Sequence, residues 1–219
     1  MKKLLLLIGL ALGSILFSMP IKAQFSCPNI GFSWGKFSNW QAYTGSCLNG
    51  VDTIYPCQPI SGKHTIMNSW EAPNFKLFDE YCDTITKTSY SFFSARLGND
   101  TANAKINALE YTMDIDSFNS LLIVRFAFVL ENPQELNPNE RPRFIIQIRD
   151  SLGNPLPDFT CGNMDFIADT GLQDLTCTGA IVARDWTTVG FNLEQFIGQT
   201  IKIYFEVRDG SQGNHFGYA

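Results

Sequence analysis

Two histidines, six cysteines and twenty-one carboxylates carry the chemistry open to this 219-residue chain. His64 and His215 stand far apart, and neither belongs to an H-E-x-x-H zinc motif. The run DGSQG at 209–213 only imitates the G-x-S-x-G nucleophile elbow; Gly and Ser beyond a strand make a turn. Glycoside cleavage needs two carboxyls ~5–9.5 Å apart across a groove. Asp79 with Glu80, Asp114 with Asp116, and Asp165 with Asp169 are the pairs available, and the linear order selects none of them. Asp114 and Asp116 would share one face of a strand, opposite Met113 and Ile115, which a solvated sheet face explains. No catalytic residue is assigned, and the chain is read as a non-enzyme.

Binding chemistry has better candidates. Phenylalanine alone accounts for eighteen residues, so most of the aromatic content must be core. Trp70 is different, because it lies in a non-periodic stretch among Asn68, Glu71 and Asn74. A loop Trp beside polar groups can stack on a sugar or anchor a protein. Arg96 and Arg143 lie in strand-like runs, where a planar fork of donors could hold a ligand on a sheet face. The competing reading pairs them with Glu140, Asp185 or Asp209 at the sandwich edge. Trp40 and Trp186 read as core.

Residues 1–23 have the form of a secretory signal. Lys2 and Lys3 precede an apolar run from Leu4 to Phe17, and Ala23 is a plausible cleavage point. That run is shorter than the ~20 residues a spanning helix needs, and Pro20 ends it. Residues 24–219 then form one domain, with no membrane span left after cleavage. The remaining chain has thirteen basic against twenty-one acidic residues. Such a balance argues against nucleic acid and anionic lipid as partners.

After an export signal, Cys27, Cys47, Cys57, Cys82, Cys161 and Cys177 read as a disulfide set. None has C-x-x-C spacing, and six cysteines allow 15 pairings. The local set is Cys27–Cys47, Cys57–Cys82 and Cys161–Cys177, each loop stabilising by ~3 kcal/mol.

The elements that must position these groups are strands. Ile201, Ile203, Phe205 and Val207 alternate with Lys202, Tyr204 and Glu206, the period of a strand with one buried face. Leu109, Tyr111, Met113 and Ile115 alternate in the same way, while SLLIVRFAFVL at 120–130 is apolar on both faces and belongs mid-sheet. Short strands are expected at GFSW, NWQAY, VDTIY, KHTIMN, YSFFSARL, RFIIQIRD, MDFIAD and IVARDWTTVGF. Residues 69–88 read as a long loop tethered by Cys82. LEQFI at 193–197 is too short for more than a helical turn. No stretch of twelve residues has a helical apolar period, so the chain is an all-β antiparallel sandwich. Because GYA at 217–219 reads as strand, the sheet is expected to lack its last strand or part of it.

Several phrases bear a resemblance to a known module: FSNWQAYTGSC (37–47), GKHTI (62–66), SARLGN (94–99), RPRFIIQIRDSLGN (141–154), DWTTVGFNL (185–193), GQTIKIYFEVRD (198–209) and HFGYA (215–219). The chain resembles the N-terminal module of large secreted Bacteroidetes proteins that carry PKD-type repeats and a type IX sorting domain. That module is similar to MAM and galactose-binding jelly rolls. The resemblance implies a jelly-roll sandwich at the outer surface of a Gram-negative bacterium, or secreted from it, with further domains in a longer parent chain. It implies that His64 orders a neighbouring loop by hydrogen bonds. It also brings in a structural Ca²⁺ where the first and last strands meet. Ser33 stands at the usual acidic position, which leaves Asn29 and Asp209 as the oxygen donors.

The function expected from all this is a non-catalytic binding or adhesion module, with a glycan or a surface protein as partner. Its alternatives are a carbohydrate-binding accessory domain of an exported hydrolase and a structural spacer.

Overall fold

The computed structural model describes residues 27–69, 78–89, 91–169 and 177–219. Alternating sequence becomes strand almost wherever it was expected. The strands are β1 (Trp40–Ser46), β2 (Thr53–Cys57), β3 (His64–Asn68), β4 (Phe93–Asn99), β5 (Lys105–Asp114) and β6 (Leu121–Glu131). They continue with β7 (Arg143–Asp150), β8 (Asn163–Ile167), β9 (Ile181–Asn192), β10 (Thr200–Arg208) and β11 (Gly217–Tyr218). LEQFI supplies a single 3-10 turn, Glu194–Phe196. GFSW departs from expectation. Asn29, Phe32 and Gly35 all have positive φ near 60°, so this stretch turns instead of extending.

The strands build an antiparallel β-sandwich of the jelly-roll kind. One sheet has the order β2-β1-β5-β10-β7-β8, and the other β3-β4-β11-β6-β9. Every pairing among them is antiparallel. The core lies between the sheets. Leu109, Tyr111, Met113, Ile201, Ile203 and Val207 enter it from one side and Leu122, Val124, Phe126, Phe128 and Leu130 from the other. Phe126, Phe128, Phe144 and Phe166 form its aromatic centre, with ring centroids 5.2–6.4 Å apart. These separations are within the range in which aromatic pairs attract beyond simple area burial.

Two expectations about apolar residues change. Trp40 is core, but Trp186 is only partly buried; it sits at a register shift between β6 and β9 and donates to Thr86 O at 2.7 Å. The first half of β6 is not mid-sheet, since Leu121 and Ile123 are 65% and 59% exposed. There β6 pairs with β9 on one side, while β11 reaches only Val129 and Leu130 on the other.

The cysteines also differ from the local set. Cys82 bonds Cys177 across 95 residues, which excludes both Cys57–Cys82 and Cys161–Cys177. Cys47 is a buried thiol with Sγ 3.5 Å from Asp209 O, so Cys27–Cys47 is not formed either. Cys57 and Cys161 are thiols too. Cys27 Sγ lies 3.6 Å from the Asn119 amide nitrogen. The tether assigned to Cys82 holds, but its anchor is the segment leading into β9. Thr178 supports the bridge by donating its N–H to Tyr81 O at 3.0 Å.

Candidate functional site

The outer face of the six-stranded sheet gathers the polar chemistry. β5, β10 and β7 lie side by side with β1 beyond β5. Strand alternation sends half of their side chains away from the core. Register then puts Gln41, Glu110, Tyr204 and Gln147 in one row across four strands. Lys202 and Arg149 face each other in the next row. On the other side of that first row, Tyr43 and Glu206 both sit opposite Ala108.

These side chains hold one another in place. Glu110 accepts from Tyr43 Oη at 3.2 Å and pairs with Lys202 Nζ at 3.1 Å, with Arg149 at 4.0 Å. Arg149 lies flat over the Tyr204 ring, 3.3 Å from its centroid, and donates twice to Gln147 Oε1 at 2.6 and 2.9 Å. Tyr204 donates to Glu206 at 2.5 Å, and Arg208 bridges Glu206 to Asp52. Tyr43 packs edge-on against Tyr204, with centroids 6.3 Å apart.

Burial sets the protonation states here. It pushes the Tyr204 hydroxyl well up, helped by the Glu206 carboxylate, and raises Tyr43 beside Glu110. Burial alone would lower Arg208, but Glu206 and Asp52 outweigh it and hold the guanidinium charged. With Arg143 and Asp165 added, four cations (Arg143, Arg149, Lys202, Arg208) face four anions (Asp52, Glu110, Asp165, Glu206). A face balanced in this way has no net field to attract a polyanion. It offers fixed donors, acceptors and ring edges, the groups that meet a neutral polyhydroxylated ligand.

Among the ligand candidates drawn from the sequence, Arg143 shares this face. It binds Asp165 at 2.9 Å and Pro138 O at 2.8 Å, a different acid from those expected. Arg96 lies on the outside of the other sheet, 4.0 Å over the Tyr218 ring. Trp70 lies outside the described residues. The structure does not bring Asn29 and Asp209 together. Asn29 sits by the start of β1, its Nδ2 donating to Lys36 O and Ser38 O and its Oδ1 accepting from Trp34 N. Asp209 sits at the Lys105 end of β5, accepting N–H bonds from Asn103, Lys105 and Gly217. Burial pushes its carboxyl up to about 6 against those three bonds. Among the described residues no group of three or more His, Cys, Asp or Glu could hold a metal.

Apart from the exposed Glu80, the paired carboxylates have structural partners. Asp79 accepts from Tyr218 Oη and two backbone N–H groups. Asp114 takes the Thr200 hydroxyl, while Asp116 lies beyond the strand end, capping the turn at Phe118 and Asn119. Asp165 pairs with Arg143, and Asp169 with Arg141 at 3.7 Å. His64 orders a loop as expected, with Nδ1 accepting from Ile60 N at 3.2 Å and Nε2 bonding Tyr43 O at 3.0 Å. His215 lies 3.4 Å from both Glu131 and Glu135. Sequence reasoning missed Tyr43, Glu110, Arg149, Lys202 and Tyr204 as a set. The one available signal was opposite charges at outward positions of separate strands, and pairing them needs the strand order.

No protein-family model and no curated protein matches the chain. Three solved structures are similar at low identity. TmCBM61 in complex with β-1,4-galactotriose has a TM-score of 0.42 and 11% identity, covering 90% of this chain and 94% of that one. The enzymatically active domain of tailspike protein 4 from bacteriophage CBA120 has a TM-score of 0.40 and 14% identity, covering 88% of this chain and 20% of that one. A family 11 carbohydrate-binding module from Clostridium thermocellum, in complex with a β-1,3-1,4-mixed-linked tetrasaccharide, has a TM-score of 0.30 and 11% identity. It covers 85% of this chain and 88% of that one. At these scores the three likenesses carry no argument about function.

Proposed function

We propose that this chain is a non-catalytic binding module that holds a glycan against the outer face of its six-stranded sheet. The observation that carries the reading is the fixed set of Tyr43, Glu110, Arg149 and Lys202 on four adjacent strands, within a face where four cations meet four anions. Hydroxyl-rich ligands need donors and acceptors already aimed, since ordering them on binding would cost affinity. In this reading residues 24–219 are one exported domain of a larger surface or secreted protein. The Cys82–Cys177 bridge supports export, because such bonds persist in oxidising compartments.

The test is an array of neutral polysaccharides, followed by titration calorimetry on the hits. Tyr43→Ala and Lys202→Ala should each weaken binding about tenfold, equal to about 1.4 kcal/mol. A blank array, or variants that bind like the parent, would sink the proposal. Turnover of any glycan by the purified protein would refute its non-catalytic part.

A further inference from the structure

The polar groups on the outer face of the six-stranded sheet form a line with a direction and two ends. Gln147 and Asn163 are partners between β7 and β8, and Gln147 Nε2 donates to Asn163 Oδ1 at 3.1 Å. Side chains therefore touch one after another across the sheet. Tyr43 meets Glu110, Glu110 meets Lys202 and Arg149, Arg149 meets Gln147, and Gln147 meets Asn163. Gln41, on the same face of β1 as Tyr43, is anchored by donating to Cys57 O at 3.0 Å. Gln41 and Asn163 are exposed at the two ends, while Glu110 and Tyr204 between them are 6% and 3% exposed. From β1 through β5, β10 and β7 to β8 there are four strand spacings, ~19 Å in all.

Loops border this line along the strand direction. Toward Arg208, Ile106 points outward yet is 1% exposed, because Cys47 and Ala104 pack on it. The segment after Cys47 is pinned there by Arg208 on Asp52 and by the Asn49 N–H donating to Ser211 O at 2.9 Å. Toward the opposite strand ends, the 151–154 turn borders Lys202, since a Cβ on Gly153 would lie 4.0 Å from Nζ. Asp150 fixes that turn by accepting from Leu152 N, Asn154 N and Asn154 Nδ2 at 2.9–3.0 Å. Across the strands the situation differs. Among the described residues no strand lies beyond β2 or β8 in this sheet. The face is thus a trough, bordered at the strand ends and open at both sheet edges.

We propose, resting on the glycan reading above, that the trough takes an internal stretch of a linear, uncharged polysaccharide, lying across the strands with Gln41 and Asn163 as its two end contacts. An extended chain of pyranose rings advances by about one strand spacing per sugar, so about four sugars run from β1 to β8. The polymer leaves the trough over both sheet edges, so no chain end is needed. Branches in the plane of the sheet would meet the 47–52 segment or the 151–154 turn. Four cations against four anions give a charged polymer no advantage. The strands between β1 and β8 are paired on both sides, so the face offers no open backbone to a peptide.

The test uses the 219-residue protein and β-1,4-linked gluco- and manno-oligosaccharides of two to six sugars, titrated by calorimetry. In a series that binds, affinity should rise about tenfold or more from two sugars to four, and change less than about twofold from five to six. Reducing the terminal sugar of the six-sugar fragment to its alditol should change its affinity less than about twofold, because an internal stretch is what binds. Gln41→Ala and Asn163→Ala should each weaken the four-sugar fragment about fivefold and leave the two-sugar fragment unchanged, since two sugars cannot span both ends. Equal affinity for two and four sugars, equal losses at both lengths, or a need for the free reducing end overturns the proposal and leaves the glycan reading standing. Failure of both series while the polysaccharide array gives hits, or hits confined to branched chains, does the same. An array with no hits at all removes the glycan reading with it.

Discussion

Breaking the Cys82–Cys177 bridge should cost more than breaking either local bridge would have done. The bond closes a separation of 95 residues, for which chain entropy gives ~4.7 kcal/mol at 25 °C. A Cys161–Cys177 bond would close a far shorter loop, worth ~3 kcal/mol. Cys177 is the side to change, because Cys82 is fully buried beside Val129, Ile181 and Tyr218, and its loss would add a packing cost. For a domain of this size each kcal/mol moves Tm by roughly 2–4 °C. Cys177→Ser should therefore lower Tm by about 10–19 °C in oxidised protein, read by circular dichroism. Exposed Cys161→Ser should move it by no more than about 2 °C, as for an ordinary surface change. A reductant should bring the parent down to the level of Cys177→Ser and leave that variant where it is. If Cys161→Ser matched Cys177→Ser, the connectivity and the reasoning behind it would be refuted.

Other consequences are measurable on the same protein. Burial lowers the His64 pKa, so its contribution to stability is full above the unfolded value near 6.5 and is lost as pH falls through the lower folded value. His64→Gln should flatten the loss of stability between neutral and acid pH; an unchanged slope would count against a neutral buried imidazole. Phe128 is 1% exposed at the aromatic centre of the core, so Phe128→Ala should cost about 3–5 kcal/mol. Urea unfolding checks this as a lower midpoint at constant slope. A cost under about 1 kcal/mol would mean that the Phe cluster is not packed as described.

Local patterning made the fold legible, and the limits of that patterning explain the rest. In β10 the alternation of Ile201, Ile203, Phe205 and Val207 told correctly which side meets the core. It did not tell that Tyr204 and Glu206 on the other side would be 3% and 4% exposed. Their burial comes from Arg149 and Arg208, and Arg149 belongs to a strand more than fifty residues away in sequence. The same limit applies to Cys82, whose partner becomes its neighbour only once the 78–89 segment lies over β6 and β9. Trp186 misled because a β-strand pattern does not reveal the register shift that turns the ring outward. For His64 the resemblance pointed to loop ordering, and its bond to Ile60 N is local, but its bond to Tyr43 O reaches β1 of the other sheet, which local patterning does not reveal.

The most direct test of the central claim is an amide chemical-shift titration of the 219-residue protein with a mixture of neutral oligosaccharides. The account predicts saturable shifts confined to Gln41, Tyr43, Glu110, Gln147, Arg149, Asn163, Lys202 and Tyr204. Shifts on the other sheet instead, or none with any glycan, would contradict it.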